Sequence, residues 1–381
     1  MRRVGFVINF EKNNWLGGYN YFFNLFHFFK NFENKKITPI ILTDDYRKVE
    51  EFKNSFNFEI IKSDLFSNSN SFIRILNKIL IFFFGKNYIL ENFFKKNNIE
   101  ILSHSGFLGR NSSIKSYPWF PDFQEIYLPE NFSLKSLILR KINVFLASIH
   151  STQIIISSLQ VQKDLKKLSK KGYDKSIIIK HCAYLPEKNR LLNFQSLKKK
   201  YNLSDAFFFL PNHYWKHKNH ILVLEALKII RDKINFQIVS SGNLNDHRNK
   251  SYFLRIKEFI KVNNLSEIYN ILGIIPFDDV ISLNYHSLGL INPSKSEGWS
   301  NTVEQAKAMN QKVFLSDTPV HREQKSHNFY YFDKNDPKDL ANLLLANNQK
   351  DLDLDYDKSY EKIKDEQNKF INSYQNFIIQ N

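Results

Sequence analysis

Cysteine is almost missing: Cys182 is the single one in 381 residues, which excludes an internal disulfide framework and suits a reducing cytoplasm. Long apolar runs are missing too. The longest, Ile79 to Phe84, is far too short to cross a bilayer. The amino terminus, MRRVGFVINF, enters a strand-like run directly and has no small-residue cleavage site, so no secretory signal is expected. Acidic residues are outnumbered, 38 Asp and Glu against 54 Lys and Arg, for a formal charge of +16. The excess is uneven: residues 1–190 carry 29 basic against 16 acidic side chains (+13), and residues 191–381 carry 25 against 22 (+3). A chain rich in Lys, Asn, Ile and Phe, as an AT-rich coding sequence produces, gains charge by composition alone, but composition does not account for the asymmetry. A basic surface suits nucleic acid, an anionic membrane face or an acidic substrate. Zinc-ligand spacing, an RNP-like strand and a helix-turn-helix signal are all missing, so nucleic acid is not an expected partner.

What is present is alternation. In the first half, strand-like runs at Val4 to Asn9, Ile37 to Thr43, Phe58 to Lys62, Ile99 to His104, Gln153 to Ser157 and Lys175 to His181 are separated by helical stretches. Those stretches are Gly17 to Asn31, Phe72 to Lys96 with a break near Gly85, Phe132 to His150 and Gln160 to Lys170. The second half repeats the pattern, with strands at Phe207 to Leu210, Phe236 to Ser240, Tyr269 to Ile275, Leu288 to Asn292, Val313 to Ser316 and Phe329 to Phe332. Strands separated by helices predict parallel sheets covered on both faces. The length suits two domains of roughly 150 to 200 residues, with Leu185 to Asn193 as connector and the acidic run Asp351 to Asp357 as a solvated linker.

The chemistry concentrates in LGLINPSKSEGWSNTVEQAKAMNQKVFLSD, Leu288 to Asp317, which reads as strand, loop, helix, strand. Glu297 falls in the loop at the carboxyl end of the strand, where open α/β sheets bind ligands, and Glu304 falls in the first helical turn. Between them Gly298 lets backbone approach a ligand, and the helix amino terminus offers N–H groups to an anion. One carboxylate can then accept hydrogen bonds from sugar hydroxyls and the other from a ribose. Asn301 and Glu304 equally fit an N-x-x-E helix cap, so the second carboxylate has two readings.

From Pro293 to Gln324 this stretch resembles the E-x7-E signature of retaining, nucleotide-sugar-dependent glycosyltransferases of family 4, which have the GT-B fold. The resemblance implies that Glu297 touches the donor sugar, that backbone at Gly298, Trp299, Ser300 and Asn301 helps hold sugar and diphosphate, and that Glu304 binds ribose. It also implies that Gly17 and Gly18, which follow the first strand and otherwise suit any tight turn, lie at the donor. His104 ends a predicted strand, a place for a catalytic group or for a hydrogen-bonded structural histidine. WFPDFQEIYLPENF, Trp119 to Phe132, resembles a loop of surface-polysaccharide transferases, but Pro121 stands where many members have a histidine and Asp122 alone matches; Asp122 equally suits a turn. In NHYWKHKNH, Lys218 matches a diphosphate-binding lysine while His213 stands where an arginine is usual, and Lys216 is the candidate to supply the missing charge.

The expected protein therefore has α/β class and GT-B architecture, two Rossmann-like domains facing a cleft. Residues 1–190 form the acceptor-binding domain, 191–358 the nucleotide-sugar-binding domain, and 359–381 a helix returning to the first. The resemblance implies transfer of a hexose-type sugar from a nucleoside diphosphate sugar to the hydroxyl of a glycan or lipid-linked glycan, as in lipopolysaccharide or capsule assembly, in the cytoplasm or on the inner face of its membrane. No cofactor is expected. No metal is expected either, because no D-x-D lies at a strand end and Lys216, Lys218 and a helix terminus are at hand for the leaving diphosphate. A sugar-nucleotide 2-epimerase of the same fold and a non-catalytic sugar-binding subunit are the alternatives. Residues 72–96, with Arg74, Lys78, Lys86, Lys95 and Lys96 among Ile, Leu and Phe, suit either a helix at an anionic membrane surface or a core helix pair with a basic outer face.

Overall fold

The computed structural model describes all residues except 13, 14, 68–70, 247, 351–353 and 381, and no side chains of 71–75 or 78. The chain divides into two units: Met1–Ile126, Ser133–His181 and Glu366–Asn381 form the first, Tyr127–Phe132 and Cys182–Asp365 the second.

The first unit is built on strands β1 (Arg2–Val7), β2 (Ile37–Thr43), β3 (Glu59–Lys62), β4 (Ile101–His104), β5 (Lys115–Phe120), β6 (Ile154–Ile156) and β7 (Ser176–Ile178). They lie in the order β3-β2-β1-β4-β5-β6-β7, with every pairing parallel. Sequence reading misses β5, because Lys115, Ser116 and Pro118 interrupt its apolar run and proline rarely sits inside a sheet. Pro118 lies opposite His104 of β4. The phenylalanines of helix Leu16–Asn31 are explained by burial on two sides. Phe22, Phe26 and Phe29 pack edge-on or tilted against Phe6 of β1, while Phe28 and Phe29 meet Phe370 and Tyr374 of the last helix, Tyr356–Gln380. Each such ring contributes roughly 1.5–3 kcal/mol. Gln375 of that helix fixes the edge of β2, its Oε1 accepting from the Lys36 and Ile37 amides at 2.8 and 3.3 Å.

Two of the lysines of residues 72–96 have an internal partner. That stretch forms two helices, Ser71–Phe84 and Tyr88–Lys96, broken at Gly85, whose φ is +66°. Lys86 and Lys95 both turn to the buried carboxylate of Glu91, at 2.9 and 2.8 Å, and Ser112 and Ser113 donate to it as well. Burial would raise the Glu91 carboxyl, but these partners outweigh it and hold it at about 2. Two of the basic residues therefore neutralise an internal acid. The side chains of Arg74 and Lys78 lie outside the described residues.

The second unit repeats the plan with β8 (Phe207–Leu210), β9 (Gln237–Ser240), β10 (Tyr269–Ile271), β11 (Leu290–Asn292), β12 (Val313–Ser316) and β13 (Phe329–Phe332), ordered β10-β9-β8-β11-β12-β13 and all parallel. Phe207 to Leu210 are buried on both faces, hence the unbroken apolar run FFFL. Helix His220–Ile230 packs Leu222, Val223, Ala226 and Leu227 into the core of this sheet. The first three residues of the acidic run from Asp351 lie outside the described residues.

Candidate active site

In the second unit the loop after β11 is held mainly by amide and hydroxyl side chains. Asn292 Oδ1 accepts from Asn212 Nδ2 at 2.9 Å and from Ser294 Oγ at 2.7 Å, and Asn292 Nδ2 donates to Ser300 Oγ at 3.1 Å. Lys295 N donates to His217 O at 2.8 Å, which ties this loop to the one after β8. All these groups lie at the carboxyl edge of the sheet. There the two loops bring Lys218 and Glu297 together, Nζ to Oε1 at 2.5 Å, with both side chains largely buried, 15 and 9% exposed. Burial would raise the Glu297 carboxyl, yet the Lys218 charge and hydrogen bond bring it below its ordinary value.

Helix Asn301–Ala308 starts at this loop with Ser300 as N-cap; the Ser300 side chain makes no capping hydrogen bond, and its amide donates to Gln324 Oε1 at 3.4 Å. Asn301 is thus the first helical residue, which removes it from the cap position expected from the N-x-x-E spacing. Glu304 takes a different partner: Oε1 accepts from Gln324 Nε2 at 2.9 Å, and the same amide nitrogen donates to Ser300 O at 3.0 Å. Gln324 is fully buried and clamps the helix start to the short helix Pro319–Glu323 that precedes it. Gly298 is buried, Trp299 half-buried and Ser300 buried in the same loop. His321, also fully buried, donates from Nδ1 to Ser316 O at 2.7 Å; its Nε2 therefore carries a lone pair, with no hydrogen-bond partner. Burial holds that ring neutral, opposed by the nearby Glu297 charge. Sequence reading passes over Gln324 and His321; their signal is their place in TPVHREQ, directly after β12.

Other basic residues of the loop behave differently. Lys216 is exposed, its amide held by Asp246 at 3.0 Å, so it does not join the pair at Glu297. His213 Nδ1 accepts from the Asn243 amide at 2.9 Å, placing the proton on Nε2, and burial followed by the Lys218 charge lowers its pKa to about 4. That close approach requires Gly242, whose φ is +146° and where a Cβ would lie 2.7 Å from Asn212 O. The position expected to hold an arginine thus carries a neutral N–H donor. Among the described residues no group of three or more His, Cys, Asp or Glu side chains could hold a metal ion.

In the first unit Gly17, Gly18, His104 and Asp122 all lie at the carboxyl edge of its sheet, near the ends of β1, β4 and β5. Gly18 has an internal reason: a Cβ there would come within 2.4 Å of the Trp15 ring. Gly17 has none, facing open space in an ordinary helical conformation. His104 is not open to a substrate. It is buried with φ +63°, its Nε2 lies 2.7 Å from the Tyr21 hydroxyl, and its Nδ1 lies 2.9 Å from Ser103 Oγ, which meets Tyr374 OH at 2.6 Å. Burial, with His181 nearby, drops it to about 3. Both nitrogens of His104 are engaged within the unit. Asp122 is half-buried, and its Oδ1 accepts a long hydrogen bond, 3.4 Å, from the Gln124 amide, as in an Asx turn.

No curated protein is detectably similar to the chain by sequence. Solved structures are similar along its whole length. A glycosyltransferase from Rickettsia africae covers 100% of this chain and 99% of its own at 17% identity and a TM-score of 0.69. HepE of Anabaena, solved with UDP and glucose, covers 99 and 95% at 10% identity and a TM-score of 0.69. WaaG, a glycosyltransferase of lipopolysaccharide biosynthesis, covers 98 and 99% at 13% identity and a TM-score of 0.63. Residues 193–358, which include Lys218, Glu297, Glu304 and Gln324, match the family model of glycosyl transferases group 1. Two parallel Rossmann-like sheets and these whole-length likenesses give the chain the GT-B fold, and its second domain matches the group 1 glycosyl transferases over residues 193–358.

Proposed function

We propose that the protein transfers a hexose-type sugar from a nucleoside diphosphate sugar to a hydroxyl of a glycan or lipid-linked glycan, with retention of anomeric configuration, in the building of a surface polysaccharide. The observation that carries this reading is the placement of Glu297 in the loop after β11 and of Glu304 in the first turn of the helix that follows, on either side of that helix's amino terminus. Glu297 would meet the sugar, Glu304 the ribose, and the helix amino terminus with Lys218 the diphosphate. In the reaction the acceptor oxygen bonds to the anomeric carbon as the bond to the diphosphate breaks, and the acceptor proton leaves with the diphosphate oxygen or through water. Asp122 is the group of the first unit that we propose to orient the acceptor. HepE, solved with UDP and glucose, supports a nucleotide-sugar donor, and WaaG supports a polysaccharide pathway. A working place at the cytoplasmic face of a membrane follows from that acceptor class. We assign charge stabilisation to protein groups and not to a metal, so activity should survive a chelator.

The test is product analysis after incubation with a panel of nucleoside diphosphate sugars and oligosaccharide acceptors. The expected result is free nucleoside diphosphate in step with an elongated α-linked or β-linked product that keeps the donor's configuration. A donor isomerised without acceptor would replace this reading with the epimerase, and a donor bound but unchanged would replace it with a sugar-binding subunit. Chelator-sensitive transfer restored by magnesium or manganese would remove the metal-free assignment.

A further inference from the structure

Helix Leu134–His150 carries its apolar side outward. The inward side is small, Val144, Ala147 and Ser148. On the other side Leu134, Ile138, Ile142 and Phe145 follow one another by four, four and three positions, a stripe along one face of a helix of 3.6 residues per turn, with Leu139 beside it. These five side chains are 43 to 73% exposed. Single exposed apolar residues are ordinary, but a continuous stripe marks a surface that something covers.

The charges around the stripe decide what covers it. The helix contains no Asp or Glu, and Lys135 and Lys141 are exposed along its margins. Arg140, on another side, is engaged by Glu125 at 3.1 Å. A second helix of the same unit, Ser71–Phe84, also lacks acidic residues and ends in exposed Phe82, Phe83 and Phe84. Both belong to the half of the chain that carries the +13 excess. A second copy docked stripe to stripe would set the lysine margins against each other with no acid on the helix to pair them. An anionic leaflet supplies both an apolar interior and negative charge. Among the described residues no helix is long and apolar enough to cross a membrane, so the contact is one of lying in the interface and not of spanning it.

We propose that helix Leu134–His150 lies in the headgroup region of an anionic bilayer, with the stripe from Leu134 to Phe145 among the acyl chains and Lys135 and Lys141 at the lipid phosphates. This anchoring is independent of the transfer reaction, and it assigns the hydrophobic contact to a helix other than residues 72–96. The test uses the full chain and vesicles of phosphatidylcholine with or without phosphatidylglycerol, a fraction of the acyl chains brominated. The protein should sediment with the anionic vesicles, and a Phe145→Trp variant should gain bromine quenching over its parent. Ile138→Asp with Ile142→Asp should lower the partition coefficient roughly tenfold or more, with an unchanged melting temperature, since both positions are exposed. Three results would overturn the proposal: no sedimentation with either vesicle, binding that the double substitution leaves unchanged, or a dimer in solution that the same substitutions dissociate.

Discussion

The pair of Lys218 and Glu297 permits a test of the site without knowledge of its substrate. Lys218→Met removes the cation and leaves a largely buried carboxylate facing neutral His321. Removing one partner of a buried pair costs about 3–5 kcal/mol, and for a domain of this size each kcal/mol shifts the melting temperature by about 2–4 °C, so the melting temperature should fall roughly 6–20 °C at pH 7. The pH dependence is the sharper part. In the parent protein Glu297 is held below its ordinary value, so its contribution is present above about pH 4.3 and is lost only as the pH falls through the lower native value. In the variant, burial is opposed only by His321 and the Ser294 hydroxyl and raises the carboxyl; the cost is then full at neutral pH and is relieved as the group takes a proton. The gap between the two proteins should therefore narrow as the pH falls from neutral towards the unfolded value of about 4.3, as followed by thermal melts from pH 8 to about 4.5. Adding Glu297→Gln to the variant should recover most of the loss at pH 7. A gap that stays constant with pH, or the absence of one, would refute the pairing as the cause.

Glu304→Gln should weaken nucleotide-sugar binding by about 1–3 kcal/mol in calorimetry without unfolding, because Gln324 can still donate to the new amide oxygen; normal binding with early melting would make Glu304 a structural residue. Gly17→Ala should stabilise the fold by about 0.5–1 kcal/mol while lowering transfer, since only an approaching ligand needs a glycine in that open helical position, and unchanged transfer would take Gly17 out of the donor set. Glu91→Gln should cost about 2–3 kcal/mol in urea unfolding at pH 7. Its native carboxyl is depressed to about 2, so the difference should fade as pH falls from about 4.5 towards that value, and a difference that persists at pH 2 would contradict the assignment.

Buried parallel strands announce themselves through unbroken apolar runs, and Phe207 to Leu210, Val313 to Ser316 and Phe329 to Phe332 are legible to the residue. β5 is not, because Pro118 and its polar neighbours occupy a place in the middle of the sheet that local preference argues against. The same division holds at the site. Glu297 and Glu304 are legible because a loop and a helix start fix them by local spacing. The partners that set their chemistry, Lys218 and Gln324, come from 79 and 20 positions away, and only the fold puts them there. Charge is the least legible property of all: Lys86, Lys95 and Lys218 look alike in the sequence, and each pairs with a buried carboxylate.

That last point bears on how the site could bind an anion. With Lys218 committed to Glu297 and His213 neutral, the loop after β8 presents less positive charge to a diphosphate than its composition suggests. A dianionic ligand arriving beside Lys218 would compete with Glu297 for the ammonium, and the carboxylate released from it would be free to accept hydroxyl groups of the sugar. The exchange keeps every buried charge paired, which is what makes it affordable in a largely desolvated place. Donor binding and the readiness of Glu297 for the sugar would then be one event, with the start of helix Asn301–Ala308 supplying the remaining hydrogen bonds to phosphate.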